Sequence, residues 1–492
     1  MSNLTDTIDQ IIHENNLPFD WPEEVLNELG RLETNGSSQR NDLRKTPFVT
    51  IDGKDAKDFD DAVFCEKNKN GFILQVAIAD VAEIVKQESQ IDKEAIKRGT
   101  SIYFPKKVIP MLPEKISNNL CSLVPKEDRN VLVCNMKFDT EGVINSYEFN
   151  EAVINSYKRF TYNEVEYLLS NNDEDLDSSV LNSINSLKKL TKKLLMNRTQ
   201  RYALEINSAE PMISFKNNDE IADIYVPKRL FSHQMIEEAM ISANVCAAKY
   251  LKKHFGFGIY RVHEEPENLK IQNLKKFFSL KGLSSKSIPN IVELINSFIE
   301  HVNKKEENKM LNILILQSLK RAAYSTKEIG HFGLQLNEYS HFTSPIRRYP
   351  DLITHRLIKN ILKKDKKDQD QDEIEHSLET LSSLEKRAEI ASRQVTQQLI
   401  CHRLKEFIGD DFSSMVVGIT DFGLFCEIEN YFISGLIHVS DLSRDRYIFD
   451  KEANILKGRR TGRIFRIGQK IIVKLANVIP EDRKIVLIPK QK

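Results

Sequence analysis

The chain has 492 residues, room for two or three domains, and its 71 basic and 71 acidic side chains balance to a formal charge of zero. No apolar run reaches the roughly 18 residues of a membrane span, and the N-terminal MSNLTDTIDQ has neither the basic nor the apolar region of a secretory signal. A soluble, cytoplasmic protein without a membrane partner is expected, while the overall charge speaks neither for nor against nucleic acid. The six cysteines form no CxxC pair and no zinc-finger spacing with histidine, so they read as buried, reduced thiols.

Residues 1–46 read as a helical lead-in: Thr5–Asn15 has helical spacing, and a second helix opens at Trp21 with proline in its first turn and acids near its start. A polar loop follows around residues 35–42. The next unit, 47–408, begins with strands over Phe48–Ile51, Ala62–Glu66, Gly71–Ala79, Asn130–Phe138 and Val143–Phe149. It then turns helical over Tyr162–Ser170, Ser179–Arg201, Leu230–Phe255 and Glu375–Phe407. Between the last two lies the mixed charge run 363–373, expected to be a solvated connection. From 409 to 492 short alternating strands return, with Gly418 and Gly423 as kinks or bulges. The fold class expected is a mixed α/β domain followed by a small all-β barrel.

Two segments carry chemistry. The first, TIDGKDAKDFDDAV (residues 50–63), places Asp52, Asp58, Asp60 and Asp61 within ten residues, between two apolar runs that read as strands. Carboxylates this crowded resist joint ionisation unless a cation neutralises them. Hard oxygen ligands suit Mg²⁺ or Mn²⁺, and such sites serve phosphodiester hydrolysis. The alternative for these four, and the simpler reading for Asp55, is an acidic loop facing water. The second segment, HFGLQLNEYSHFTSPIRRYPDLITHRLI, spans residues 331–358. Two acid-free basic runs also stand out. Lys457–Lys474 suits a phosphate backbone, and Lys188–Arg201 reads better as a solvated helix face.

Together the two segments resemble the RNase II family of RNB-domain exoribonucleases, from about residue 18 to the end, and the last 84 residues resemble an S1-type OB-fold RNA-binding domain. The resemblance implies a Mg²⁺-dependent (Mn²⁺ as the alternative), processive 3′-to-5′ exoribonuclease that releases nucleoside 5′-monophosphates from single-stranded RNA. It implies that Asp52, Asp58 and Asp61 supply metal ligands and that Asp60 organises the attacking water. Arg347 would meet the transition-state charge; Arg348 is either its partner in the site or a structural partner of Asp351. Tyr103 would stack on RNA, Tyr162 would line the terminal-nucleotide pocket, and Glu237 and Glu238 would lie near the terminal ribose, or else turn toward Arg347. Arg459, Arg460 and Arg463 of the basic run would hold RNA. Ile206 stands where the family often has a second stacking phenylalanine.

The cold-shock domains usual in the family have no counterpart in these residues. RNA capture would then rest on the S1-type tail, the channel, or an accessory capture or helicase partner of a monomeric chain. Residues 256–263 resemble the RNase II branch and residues 347–351 the RNase R branch, which leaves behaviour on duplex RNA open. Two rivals remain at this stage: an RNA-binding protein with a dead RNB domain, and a hydrolase of DNA or a small nucleotide.

Overall fold

The computed structural model describes residues 3–32, 40–171, 176–206, 211–280, 282, 290–304, 311–365, 370–443, 445–451 and 454–490. Parts of the expected 35–42 loop and of the 363–373 charge run lie outside these residues. Helices α1 (Asn3–Glu14) and α2 (Glu23–Arg31) open the chain, with Pro22 at the N-cap of α2 and Glu23 and Glu24 in its first turn, where the dipole favours acids.

The α/β unit is built on strands β1 (Asn41–Asp42), β2 (Val49–Asp52), β3 (Asp61–Asn68) and β4 (Gly71–Ala79). After helices α3 (Val81–Ile84) and α4 (Gln90–Arg98), a hairpin of β5 (Ile102–Phe104) and β6 (Lys107–Ile109) leads to β7 (Asp128–Phe138), β8 (Ile144–Asn155) and β9 (Lys158–Thr161). Seven strands form one sheet in the order β1-β8-β7-β4-β3-β2-β9. The central pairs are antiparallel, and β1 and β9 close the two edges in parallel. The lead-in thus contributes a short edge strand as well as helices.

Helices α5 (Tyr162–Ser170), α6 (Ser178–Gln200) and, after the small hairpin β10 (Met212–Phe215) and β11 (Ile221–Tyr225), α7 (Phe231–Phe255) follow. The capping box of Thr161 and Glu164 fixes the start of α5, so Tyr162 is its first residue. Apolar residues of α6 and α7, among them Leu187, Leu190, Met235 and Ala243, join strand residues such as Leu74, Val76 and Cys134 in the main core. All six cysteines are free and buried.

Beyond β12 (Tyr260–Val262), helices α8 (Asn268–Leu280), α9 (Ile291–Asn303) and α10 (Asn312–Ser318) build a separate apolar cluster. Strand β13 (Ala323–Ser325) pairs with β12, and helices α11 (Tyr349–Leu362) and α12 (Gln371–Leu404) complete the unit. Against α12 pack α1 and the β5–β6 hairpin, through Ile8, Ile11, Ile102, Phe104, Ala391 and Val395.

The C-terminal strands β14 (Asp411–Ile419), β15 (Gly423–Ile428) and β16 (Ile433–His438) are followed by helix α13 (Val439–Leu442). An inserted three-stranded sheet, β17 (Tyr447–Asp450), β18 (Ile455–Gly458) and β19 (Ile464–Arg466), precedes β20 (Lys470–Ile479) and β21 (Lys484–Pro489). Strands β14-β15-β16-β21-β20 close a barrel, as expected of an OB fold. Gly418 sits at the expected bulge between β14 and β15, and a Cβ on Gly423 would lie 2.2 Å from the Ile437 carbonyl oxygen. Met415 and Val417 bury into the cluster of α8–α10, so the barrel is docked on the α/β unit by apolar contact. The expected elements recur within a few residues; the α8–α10 cluster, the two small hairpins and the β12–β13 pair are additions that the sequence reading does not contain.

Candidate active site

The aspartate segment is an irregular excursion between β2 and β3, and the fold pins it along its length. The two strands pair at Val49 and Val63, then run out to Asp52 at the end of β2 and Asp61 at the start of β3. Arg159 of β9 donates from Nη2 to the carbonyls of Gly53 (2.5 Å) and Lys54 (2.8 Å). Ser122 Oγ donates to the Lys57 carbonyl at 2.8 Å and accepts from the Phe59 amide at 3.0 Å. Tyr103 Oη donates to Asp58 Oδ2 at 2.7 Å. Loops held this way present their side chains in a preorganised arrangement.

Asp60 joins this segment to the one nearly three hundred residues away. It is 5 % exposed, and its Oδ1 accepts from the Ile346 amide at 2.9 Å. Arg347 Nε lies 3.4 Å from Asp60 Oδ2, its Nη2 donates to Ser344 Oγ at 2.9 Å, and its side chain is 43 % exposed. Arg348 has a different environment. Its Nη2 donates to Asp351 Oδ1 at 2.7 Å, and that oxygen also accepts from the Ser344 amide at 2.8 Å. The Arg348 guanidinium is therefore paired with a fully buried carboxylate at the start of α11.

Tyr162 stacks on His233 with ring centroids 4.0 Å apart, and Ser232 Oγ donates to the Tyr162 carbonyl. Glu237 lies one turn beyond His233 on α7. Arg198 Nη1 binds Glu237 Oε1 at 2.7 Å and Glu238 Oε1 at 2.8 Å, and Arg229 also binds Glu237. The two glutamates thus pair with Arg198 and not with Arg347. Glu238 is almost wholly buried, while Glu237 keeps about a third of its side chain exposed. Arg159, Ser122, Arg198 and His233 were not singled out as site residues from the sequence. Ile206 packs into the α8–α10 cluster.

In the Lys188–Arg201 run, Lys188 donates to the Leu169 carbonyl, Lys193 pairs with Glu141 and Arg201 donates to the Leu334 carbonyl, while Lys189 and Lys192 are exposed as expected of a solvated helix face. Arg459, Arg460 and Arg463 occupy the exposed turn between β18 and β19. That turn is braced by Asp445, which accepts from the amides of Arg460 (3.0 Å) and Thr461 (2.8 Å), and the Arg463 guanidinium lies over Phe465.

The donor set fits a hard divalent cation. Burial raises the Asp60 carboxyl to about 8 against the pull of Arg347 and the Ile346 amide. Burial also raises Asp52 to about 6, opposed by Arg159 and Arg347, and lifts Asp61 well above the usual range with help from Asp52 and Asp60. Asp60 Oδ2 is buried without a hydrogen-bond partner. Carboxylates held together at this cost lack a neutralising charge beyond the arginines. Asp52, Asp58 and Asp61 do not close to within 4.8 Å; among the described residues, the one acidic group whose ligand atoms all lie within 4.8 Å of one another is Asp80, Glu83 and Glu151. Lys359 binds all three at 2.5, 2.9 and 3.0 Å and Arg40 binds them again, so that group is neutralised by the protein itself.

These shifts predict a pH response. A carboxyl raised on folding favours the folded state below the ordinary carboxylate range and loses that contribution as pH rises through its folded pKa. In chelator the melting temperature should therefore fall as pH rises through about 6 and then about 8. With saturating Mg²⁺ the fall should be much smaller, since the ion stabilises the ionised form. Thermal melts across this range with and without Mg²⁺ check it, and parallel curves would count against a cation site here.

Comparison with known proteins supports the geometry. The RNB domain family matches residues 40–364, and the S1 RNA binding domain matches residues 405–488. Ribonuclease R of Vibrio parahaemolyticus serotype O3:K6 is 38 % identical over 495 residues, covering 96 % of this chain. The chain spans 59 % of that relative's length. Mycoplasma genitalium RNase R, solved with ribose-methylated single-stranded RNA, superposes with a TM-score of 0.94 at 31 % identity over 99 % of this chain and 78 % of its own. The same protein solved with double-stranded RNA gives a TM-score of 0.84 at 28 % identity, over 99 % of this chain and 83 % of its own. With its aspartate excursion and its Ser344–Asp351 block assembled into one site beside a closed five-stranded barrel, the chain belongs to the RNB-domain family and carries a C-terminal S1 RNA binding domain.

Proposed function

We propose that the chain is a Mg²⁺-dependent, processive 3′-to-5′ exoribonuclease that hydrolyses single-stranded RNA to nucleoside 5′-monophosphates. The observation that carries this reading is the junction at Asp60, where a buried carboxylate from the aspartate segment meets the Ile346 amide and the Arg347 guanidinium. Asp52, Asp58 and Asp61 would hold the metal; Mg²⁺, or Mn²⁺ in its place, lowers the pKa of water and neutralises charge on the phosphate. Asp60 orients the attacking water. Arg347, half exposed and fixed by Ser344, offers a permanent planar charge to the phosphorane oxygens. Tyr162, stacked on His233, and Glu237, one turn farther along α7, receive the terminal nucleoside, and a carboxylate there would discriminate RNA by its 2′-hydroxyl. Tyr103 grips an upstream base by stacking, which needs no sequence readout.

The arginines of the β18–β19 turn supply phosphate contacts outside the site. Each such contact on a single strand contributes about 0.7 to the slope of log affinity against log salt. Replacing Arg459, Arg460 and Arg463 together by alanine should flatten the slope by up to about 2 and leave hydrolysis of short RNA intact. A salt titration of RNA binding measures this, and an unchanged slope would remove the turn from the RNA-binding surface.

The test of the function is digestion of 5′-labelled single-stranded RNA and of the matching DNA, with Mg²⁺ and with EDTA. The proposal expects progressive shortening of RNA in Mg²⁺ only, with DNA spared. RNA binding without shortening would favour the dead-domain rival, and equal attack on DNA would favour the general phosphodiesterase.

A further inference from the structure

A crevice of about 910 Å³ opens beside β9, the edge strand of the main sheet, and is lined in part by Lys45, Lys126, Tyr157, Lys158 and Arg159. Its acid, Asp177, is already engaged by the amide and hydroxyl of Ser179, and its remaining arginine, Arg44, is spent on Asp42 and Asp128. Lys126 and Lys158 have no carboxylate at ion-pair distance among the described residues; Lys158 lies over the Phe160 ring instead. Tyr157 is 41 % exposed. Arg159 connects the crevice to the active site, since the same guanidinium holds the Gly53 and Lys54 carbonyls, and its Nε is buried without a partner.

We propose that this crevice binds a nucleoside 5′-monophosphate, with the phosphate against Lys126, Lys158 and Arg159 and the base on Tyr157. Cations that line one crevice, with a guanidinium among them, suit a phosphomonoester dianion. An exposed aromatic ring gives any base a face to stack on, and the volume lies in the range of small-ligand sites. A guanidinium has five donors, so Arg159 can keep the loop carbonyls while meeting the phosphate. Occupancy is then felt at the aspartate segment, which makes the crevice a site of product feedback. The identity of the ligand rests on the function proposed above; the crevice itself does not.

Lys126 has a φ of 64°, a conformation asparagine tolerates, so K126N/K158Q is the variant of choice, with K126E/K158E beside it and thermal melts to establish folding. Adenosine 5′-monophosphate, inorganic phosphate and adenosine are titrated calorimetrically into the full chain in EDTA, and the nucleotide is tested as an inhibitor of RNA hydrolysis. The expected result is binding of the monophosphate that weakens about tenfold or more in both variants, weaker binding of phosphate, and none of adenosine. Initial rates without added nucleotide should be unchanged, and the part of the inhibition not competitive with RNA should disappear. Undiminished affinity in folded variants, or inhibition that is purely competitive and unaltered, would overturn the proposal. If the unmutated chain hydrolyses no RNA, the calorimetry still decides the crevice while the functional reading fails separately.

Discussion

Asp60→Asn is expected to lower RNA hydrolysis by roughly a thousandfold or more while RNA affinity in EDTA changes by less than about threefold. Asparagine keeps an oxygen for the Ile346 amide, so the link between the two segments survives. It removes the charge that faces Arg347 and that, in the proposed mechanism, orients water, a role felt only in the reaction. Under the proposed function, most RNA affinity would come from phosphate and stacking contacts elsewhere. The mutation also relieves the protein of a buried carboxyl whose pKa is pushed up to about 8, so the metal-free variant should melt no lower than the parent at alkaline pH. Binding assays in EDTA and single-turnover cleavage in Mg²⁺ separate the two effects. A variant that loses RNA binding together with hydrolysis would make Asp60 a structural residue.

Arg348→Ala is expected to destabilise the protein by about 3–5 kcal/mol, because it strands a buried carboxylate. Asp351 is fully buried, and without Arg348 its remaining hydrogen-bond partner among the described contacts is the Ser344 amide. The segment it organises carries Arg347, so activity should fall even where the variant folds. Pairing the change with Asp351→Asn should recover part of the stability, because the uncompensated charge is gone; the double-mutant cycle gives the coupling. Urea unfolding of the four proteins measures it. A loss below about 1 kcal/mol would mean that the pair is a solvated ion pair and that Arg348 is available to RNA.

The legible part of the site was the part written locally. Asp52, Asp58, Asp60 and Asp61 are neighbours in sequence, and the Ser344–Asp351 block is continuous, so their composition alone announces them. What brings them together was legible only through family resemblance, since a backbone amide at Ile346 and a carboxylate at Asp60 leave no joint trace in a single chain. The supporting residues were hidden for the same reason. Ser122, Arg159 and Arg198 look ordinary where they stand, and each matters through a partner tens of residues away.

The two basic runs show how little local composition says about partners. Both are free of acids in sequence, yet the fold brings Glu141, Glu237 and Glu238 to the first and Glu429 to Lys470 of the second, while Arg459, Arg460 and Arg463 stay exposed. Among strands and helices, the long periodic ones were readable because burial imposes their pattern. The short hairpin that carries Tyr103 was not, because its three-residue strands take their support from α1 and α12 and not from their own sequence.

The most direct test of the account is cleavage of single-stranded RNA in ¹⁸O-enriched water with Mg²⁺, followed by mass analysis of the first nucleotide released. The account predicts a nucleoside 5′-monophosphate from the 3′ end with one ¹⁸O on phosphorus, because water oriented by Asp60 attacks the phosphate and the 3′ oxygen leaves. A 2′,3′-cyclic or 3′-phosphate product, or an unlabelled 5′-monophosphate, would contradict it.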